Sequence, residues 1–245
     1  MNDGWDALAR EVDTWCAAGR EVTLWWRDDD ATGPSPALAR LLALQPGLPL
    51  GLAVIPAAAQ GSFAGELTVT VDVLVHGFAH TNHAPAGARK SEYPAGRVAP
   101  HELRAGRERL EHLLGAQVLP IFVPPWNRMG EDAAAVLPGA GYALLSGYRG
   151  RPEGPLPRLD THVDLVDWRG GRQFAGADAV LGALVDALAV RRSTGESRPT
   201  GVLTHHLVHD TPAWRFLEDF LAWTEESPGV RWVRPRDALP GRPAA

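Results

Sequence analysis

The sequence predicts an α/β fold in which about seven parallel strands form a barrel. Short apolar runs alternate with amphipathic segments along the chain, the pattern of repeated β/α units. About seven such units recur, which favours a barrel over an open sheet, and 245 residues is a usual length for one barrel. Candidate polar residues collect where the apolar runs end, the functional end of a parallel α/β barrel.

The elements follow in order. In WDALAREVDTWCAAG (5–19), Trp5, Leu8, Val12 and Trp15 recur at helical spacing, with Gly19 as a stop. EVTLWWR (21–27) is a strand rich in β-branched and aromatic residues. SPALARLLAL (35–44) is a helix with Ser35 as cap and Pro36 at its first position. PLGLAVIP (49–56) and TVTVDVLVH (68–76) are strands, the first apolar enough for burial on both faces. A loop rich in Pro, Gly and charge (81–99) reads as mostly solvated surface. A helix (99–115), a strand ending on two prolines (118–126), a short helix (131–141) and a strand (142–148) come next. THVDLVDW (161–168) is extended, 176–192 is a helix, and 200–209 begins as a strand. Residues 211–227 form a helix capped by Thr211, and 230–239 a last strand and turn. No internal repeat appears. One domain over 1–245 is expected, with helix 5–19 as an extension to a barrel of about 20–240.

Composition narrows the partners. The net charge is −5 and basic residues are scattered, so no nucleic-acid or anionic-membrane surface is expected. Cys16 is the single cysteine, which excludes an intrachain disulfide and a thiolate zinc site. The N-terminus lacks a signal-peptide pattern and no apolar run nears the ~20 residues of a membrane span. A cytoplasmic location is expected.

The chemistry-bearing residues form ordered clusters. His76 and His80 lie four apart past an apolar run and can reach one metal ion. With a carboxylate from Asp28–Asp30 they make the two-nitrogen, one-oxygen set of a hydrolytic metal site. Three aspartates can also be a solvated turn or cap, the lesser reading here, and lone histidines at strand ends are often hydrogen-bonded core groups. Downstream lie PPWNR (124–128), Asp164 and Asp167, and HHLVHD (205–210), in which at most one histidine need be catalytic.

WRDDD (26–30), HGFAH (76–80), VPPW (123–126), DLVDW (164–168) and LTH (203–205) stand in the chain order of the motifs of carbohydrate esterase family 4. The chain resembles those polysaccharide deacetylases, of the chitooligosaccharide deacetylase-like group, over about residues 20–210. The resemblance implies a distorted (β/α) barrel and a metal-dependent hydrolase of C–N bonds other than peptide bonds. It implies that Asp28 is the general base and His205 the general acid. Asp29, His76 and His80 would hold one divalent metal, with zinc first and cobalt, nickel, manganese or iron also suited. Trp126 would supply a backbone N–H to the oxyanion, and Asp164 or Asp167 would support the acid or base. Such a metal would polarise the acyl carbonyl and activate water, while the histidine protonates the departing amine.

Three departures bear on substrate. Val123 stands where the family has the arginine that orients the base. Arg128 and Arg27 are the candidates to replace it, and strand alternation turns Arg27 away from Asp28, favouring Arg128. Asp30 replaces a glycine and His206 an aspartate. His83 is a third histidine near the site. With no leader or anchor read in the chain, a small N-acetylated sugar or related small amide is expected rather than an extracellular polymer. A catalytically silent sugar-binding module and a metal phosphohydrolase using HHLVHD remain the alternatives.

Overall fold

The structure, a computed structural model, describes residues 3–44 and 47–241. The single-domain reading of 1–245 extends to residues outside these. Ten strands form: β1 (Val22–Ala31), β2 (Leu50–Val54), β3 (Val71–His76), β4 (Val118–Val123), β5 (Leu144–Leu145), β6 (Thr161–Asp164), β7 (Val166–Asp167), β8 (Gln173–Phe174), β9 (Thr200–Thr204) and β10 (Val230–Trp232). Six α-helices accompany them: α1 (Asp3–Ala17), α2 (Pro36–Leu44), α3 (Pro100–Leu114), α4 (Glu131–Ala135), α5 (Ala177–Thr194) and α6 (Thr211–Glu225).

The main sheet runs β5-β4-β3-β2-β1-β9-β6, with β10 also on β1, and every pairing in it is parallel. No ladder joins β5 to β6. Single parallel bridges, Leu145 to Arg158 and Tyr148 to Thr161, span that seam. The result is a curled, incompletely closed α/β barrel. Among the described residues no helix is long and apolar enough to cross a membrane.

Alternation along the strands divides the core in two. One face carries Leu24, Trp26, Leu52, Val73, Val75 and Phe122, packed against helical residues such as Leu8, Leu41, Leu103 and Phe220. The other face, enclosed by the curled sheet, carries Trp25, Ala53, Leu74, Ile121, Val123 and Leu144. Arg27 and Asp29 continue the Trp25 face, so a buried polar layer sits on an apolar plug. At the opposite end of β3, buried Asp72 accepts from Arg234 Nη2 at 2.8 Å and Arg236 Nε at 2.6 Å, which ties the C-terminal segment to the sheet.

Several boundaries differ from expectation. β1 runs to Ala31, beyond Arg27, and takes in all three aspartates. Helix α6 is capped by Asp210, not Thr211. The Asp210 carboxylate accepts from Ala213 N–H at 2.8 Å and from Phe174 N–H at 3.1 Å, a stronger cap than a hydroxyl here. The 81–99 loop is not all solvated: Ser91, Glu92 and Tyr93 are buried. Tyr93 O accepts from Gly130 N–H at 2.7 Å, so the loop is fastened at its middle.

Candidate metal centre and active site

The C-terminal ends of β1, β3, β4, β6 and β9 open into one cleft of about 1290 Å³. Asp29, Asp30, His76, His80, Asp164 and His205 line it. Two adjacent aspartates of one strand share this cleft because β1 is irregular. Its register against β2 slips between Asp28 and Ala31, and Asp30 has a φ of +73°. A bulge of this kind re-aims a side chain that alternation would send to the other face.

Asp30 is the aspartate that meets the histidines. Its Oδ1 lies 3.1 Å from His76 Nε2 and 3.3 Å from His80 Nε2. Among the described residues these three form the one grouping with metal-ligand spacing. Asp29, expected in that place, is turned toward Arg27. The donor set suits a divalent ion. His76 Nδ1 lies 3.1 Å from the Val123 carbonyl, where its N–H donates and leaves Nε2 as a lone pair aimed at a carboxylate. Two acceptors facing each other call for a cation or a proton between them. Burial lowers His80 to about 4, with His76 adding to the shift, so at neutral pH it too offers a lone pair. Burial would also lower His76, but Asp30 and Asp29 outweigh it and raise its pKa.

Asp29 lies beside this grouping in a buried fork. Arg27 Nε is 2.9 Å from its Oδ1, and Arg27 Nη2 donates to Oδ2 at 3.0 Å. The same guanidinium donates to Ser146 Oγ at 2.8 Å and to Asn127 Oδ1 at 2.8 Å. A planar guanidinium so held fixes the carboxylate in orientation. Across the cleft His205 Nε2 is 3.9 Å from Asp29 Oδ2, and His205 Nδ1 is 3.8 Å from Asp164 Oδ1. His205 Nδ1 is buried and has no hydrogen-bond partner, so Asp164 is the carboxylate aimed at it. Burial raises the Asp164 pKa against the opposing pull of His205. Trp168 donates its indole N–H to Asp164 Oδ2 at 2.8 Å and stands edge-on to His205, ring centroids 4.7 Å apart.

Other expected residues fall elsewhere. Asp28 is wholly buried on the helix-facing side of β1 and does not line the cleft. It accepts from Thr204 Oγ1 at 2.6 Å, from His206 N–H at 3.0 Å and from the His206 ring. Burial would raise its pKa, but His206 and Thr204 more than offset it and lower the pKa. Arg128 lines the cleft but donates to the Lys90 carbonyl rather than to an aspartate. The alternation argument against Arg27 was sound for Asp28. It leaves Asp29, two residues on, on the Arg27 face. Asp167 caps the turn at Arg169 and Gly170 and is not the partner of His205. His83 is exposed and lies outside the cleft lining. His206 faces Asp28, and His209 Nε2 accepts from His205 N–H, so the 205–210 run brings one histidine into the cleft. Trp126 packs its ring 4.3 Å from that of His80.

Backbone strain marks the same cleft. Asp30, His80, Trp126, Asn127, Arg149 and Arg172 are the non-glycine residues with positive φ among those described, and all six line it. Left-handed conformations cost on the order of 1–2 kcal/mol each, and they cluster where a site imposes them. The sequence reading did not single out Ser146, gave Asn127 no role within PPWNR, and left Glu92 in a loop read as mostly solvated. Glu92 is buried and accepts from Phe78 N–H at 3.0 Å and Ala79 N–H at 2.7 Å, holding the loop that presents His80. A lone carboxylate between loop residues carries no periodic signal. Only its spacing past the histidine pair could have pointed to it.

No protein-family profile matches the sequence, and no curated protein matches it. Solved structures do. A protein from Mycobacterium smegmatis assigned to the polysaccharide deacetylases superposes with a TM-score of 0.59 at 18% identity, over 88% of this chain and 87% of that one. A carbohydrate esterase family 4 enzyme of Streptococcus mutans gives 0.57 at 15%, over 92% and 90%. A family 4 acetyl xylan esterase of Clostridium thermocellum, solved with a cobalt ion, gives 0.53 at 14%, over 89% and 93%. At these identities the likeness is one of fold, and it is the fold that the motif order implied.

Proposed function

We propose that this chain, folded as the family 4 carbohydrate esterases are, is a metal-dependent hydrolase that removes the acyl group of an N-acylated sugar or a related small amide. The observation that carries the reading is the Asp30–His76–His80 grouping with Asp29 and His205 beside it in one cleft. The roles move one residue along from those expected. Asp30, His76 and His80 would hold the ion, zinc first by ligand type and cobalt, nickel, manganese or iron also suited. When bound, the ion supplies Lewis-acid polarisation of the acyl carbonyl and a lowered pKa for attacking water.

The chain's own groups complete the reaction. Asp29 takes the proton of the attacking water at a carboxylate oxygen, and the Arg27 fork keeps that carboxylate aimed into the cleft. His205 Nε2 gives a proton to the departing nitrogen, which otherwise would leave as an amide anion. Asp164, 3.8 Å from Nδ1, steadies the imidazolium this step requires. Trp126, against His80, and Trp168, against His205, line the cleft as apolar walls beside these groups. Arg27 also answers the main support for a silent binding module. The missing motif arginine has a replacement, on a different strand.

The test is acetate release from small N-acetyl sugars by metal-loaded protein, together with metal analysis. Asp29→Asn is expected to cut turnover about 10²- to 10⁴-fold, the range for loss of a positioned base, while keeping its metal. Unchanged turnover in Asp29→Asn would sink the assignment.

A further inference from the structure

The outer walls of the cleft carry more positive charge than the reaction above uses. The protein as a whole has a net charge of −5, yet Arg89, Arg128, Arg149, Arg151, Arg169 and Arg172 all line this one cleft. Outside the catalytic cluster they face three carboxylates, Glu131, Glu153 and Asp167. Glu153 is taken by Arg151 at 2.6 Å, and Asp167 holds the backbone of its own turn.

One wall of the cleft, beside Trp126, gathers three cations. Arg89 and Arg128 line it, and Lys90, the chain's single lysine, stands with its Nζ 5.8 Å from the centre of the Trp126 ring. Among the described residues none of these three cations has a carboxylate within 4.0 Å. Arg128 is bound only through Nη1, to the Lys90 carbonyl at 3.3 Å. Partial burial and the nearness of Arg89 both act against its charge. The Trp126 ring itself lies 4.3 Å from that of His80. Three uncompensated cations therefore begin one side chain away from the metal grouping. A neutral sugar leaves them unanswered. A single carboxylate answers one charge, whereas a phosphoryl group brings about −1.5 to −2 and several acceptor oxygens suited to guanidinium forks.

Resting on the deacylase reading, we propose that the substrate is an N-acyl sugar carrying a phosphoryl group, bound by Arg89, Lys90 and Arg128 beside Trp126. The acyl group then lies at Asp29, Asp30 and His205, and the phosphoryl group extends past Trp126 toward the cleft rim.

The test is calorimetric binding to the metal-loaded full chain, run beside acetate release. The probes are N-acetylglucosamine, its 1-phosphate and 6-phosphate, N-acetylmuramic acid and chitotriose. At low ionic strength a phosphorylated sugar is expected to bind at least about 10-fold more tightly than N-acetylglucosamine, with the preference shrinking as salt is raised. In Arg89→Ala/Arg128→Ala the preference should fall below about 3-fold. Arg89→Ala alone, which removes no hydrogen bond of the fold, should lower it part of the way. Chitotriose or N-acetylmuramic acid binding as tightly as the phosphates would overturn the inference. So would a phosphate preference that survives the double variant, since the anion would then be sitting on the metal. A phosphate preference without acetate release from any probe would uphold the anion site and defeat the deacylase reading. Acetate release with no phosphate preference would do the reverse.

Discussion

Asp28, Asp29 and Asp30 are chemically identical and adjacent, yet each occupies a different environment. Asp28 is locked to His206 and Thr204 behind the sheet, Asp29 to Arg27 inside it, and Asp30 to the histidine pair. Two further substitutions, beside Asp29→Asn, should separate them. Asp30→Asn is expected to weaken metal binding at least about 100-fold, the upper range for loss of even an outer-shell partner, as read by metal titration. Asp28→Asn should keep its metal and instead lose about 3 kcal/mol of stability, because the buried His206 pair is broken. Urea denaturation measures that loss. Metal loss in Asp28→Asn without destabilisation would instead make Asp28 a metal ligand.

At the scale of elements, the site depends on irregularities rather than on regular strands. The β1 bulge turns Asp30 into the cleft beside Asp29. The loop after β3 turns at Gly77, φ +61°, so that His80 returns to face His76. A Cβ on Gly77 would lie 2.0 Å from Glu92 Oε2 and 2.5 Å from Pro125 Cγ. Gly77→Ala therefore meets backbone strain of about 1–2 kcal/mol and also displaces the carboxylate that holds Phe78 and Ala79. It should lower both denaturation midpoint and metal affinity. Unchanged values for both would show that Glu92 does not position the loop.

Across the whole molecule, stability should respond to the ion and to pH in separable ways. An ion bound only by the folded state adds about 2.7 kcal/mol at a free concentration 100 times its Kd. A chelator should therefore lower the melting temperature, and His76→Ala should abolish that response. Part of the pH response has a different origin, away from the metal grouping. His162 sits at the start of β6 and accepts from Gly201 N–H at 2.9 Å through Nδ1. Burial, aided by Arg191, holds its pKa down at about 4 against a usual 6.5. The unfolded chain thus binds more protons between those values. Its contribution is fully present above about 6.5 and is lost as pH falls toward about 4. His162→Asn keeps an acceptor for Gly201 and removes the titration. The variant should show a shallower fall in stability over that window, measured by denaturation at successive pH values.

Much of this protein was legible in one dimension. Alternating apolar runs and helical patterns specify the parallel barrel, because burial periodicity is a local property of the chain. His76, His80, Trp126, Asp164 and His205, singled out because such a fold presents polar groups where strands end, all line one cleft, and the order of those ends is the order of the sequence. What tertiary structure decided is which aspartate faces which partner. A run of three carboxylates has no internal marker of register, and one bulge re-aims Asp30 while Asp28 and Asp29 keep the strand alternation. The bulge is set by how β1 pairs with β2, and the fork on Asp29 needs Arg27, Asn127 and Ser146 to converge from separate segments. Strand pairing and convergence are long-range, so no local pattern records them, and the pairing of Arg27 with Asp29 became visible only there.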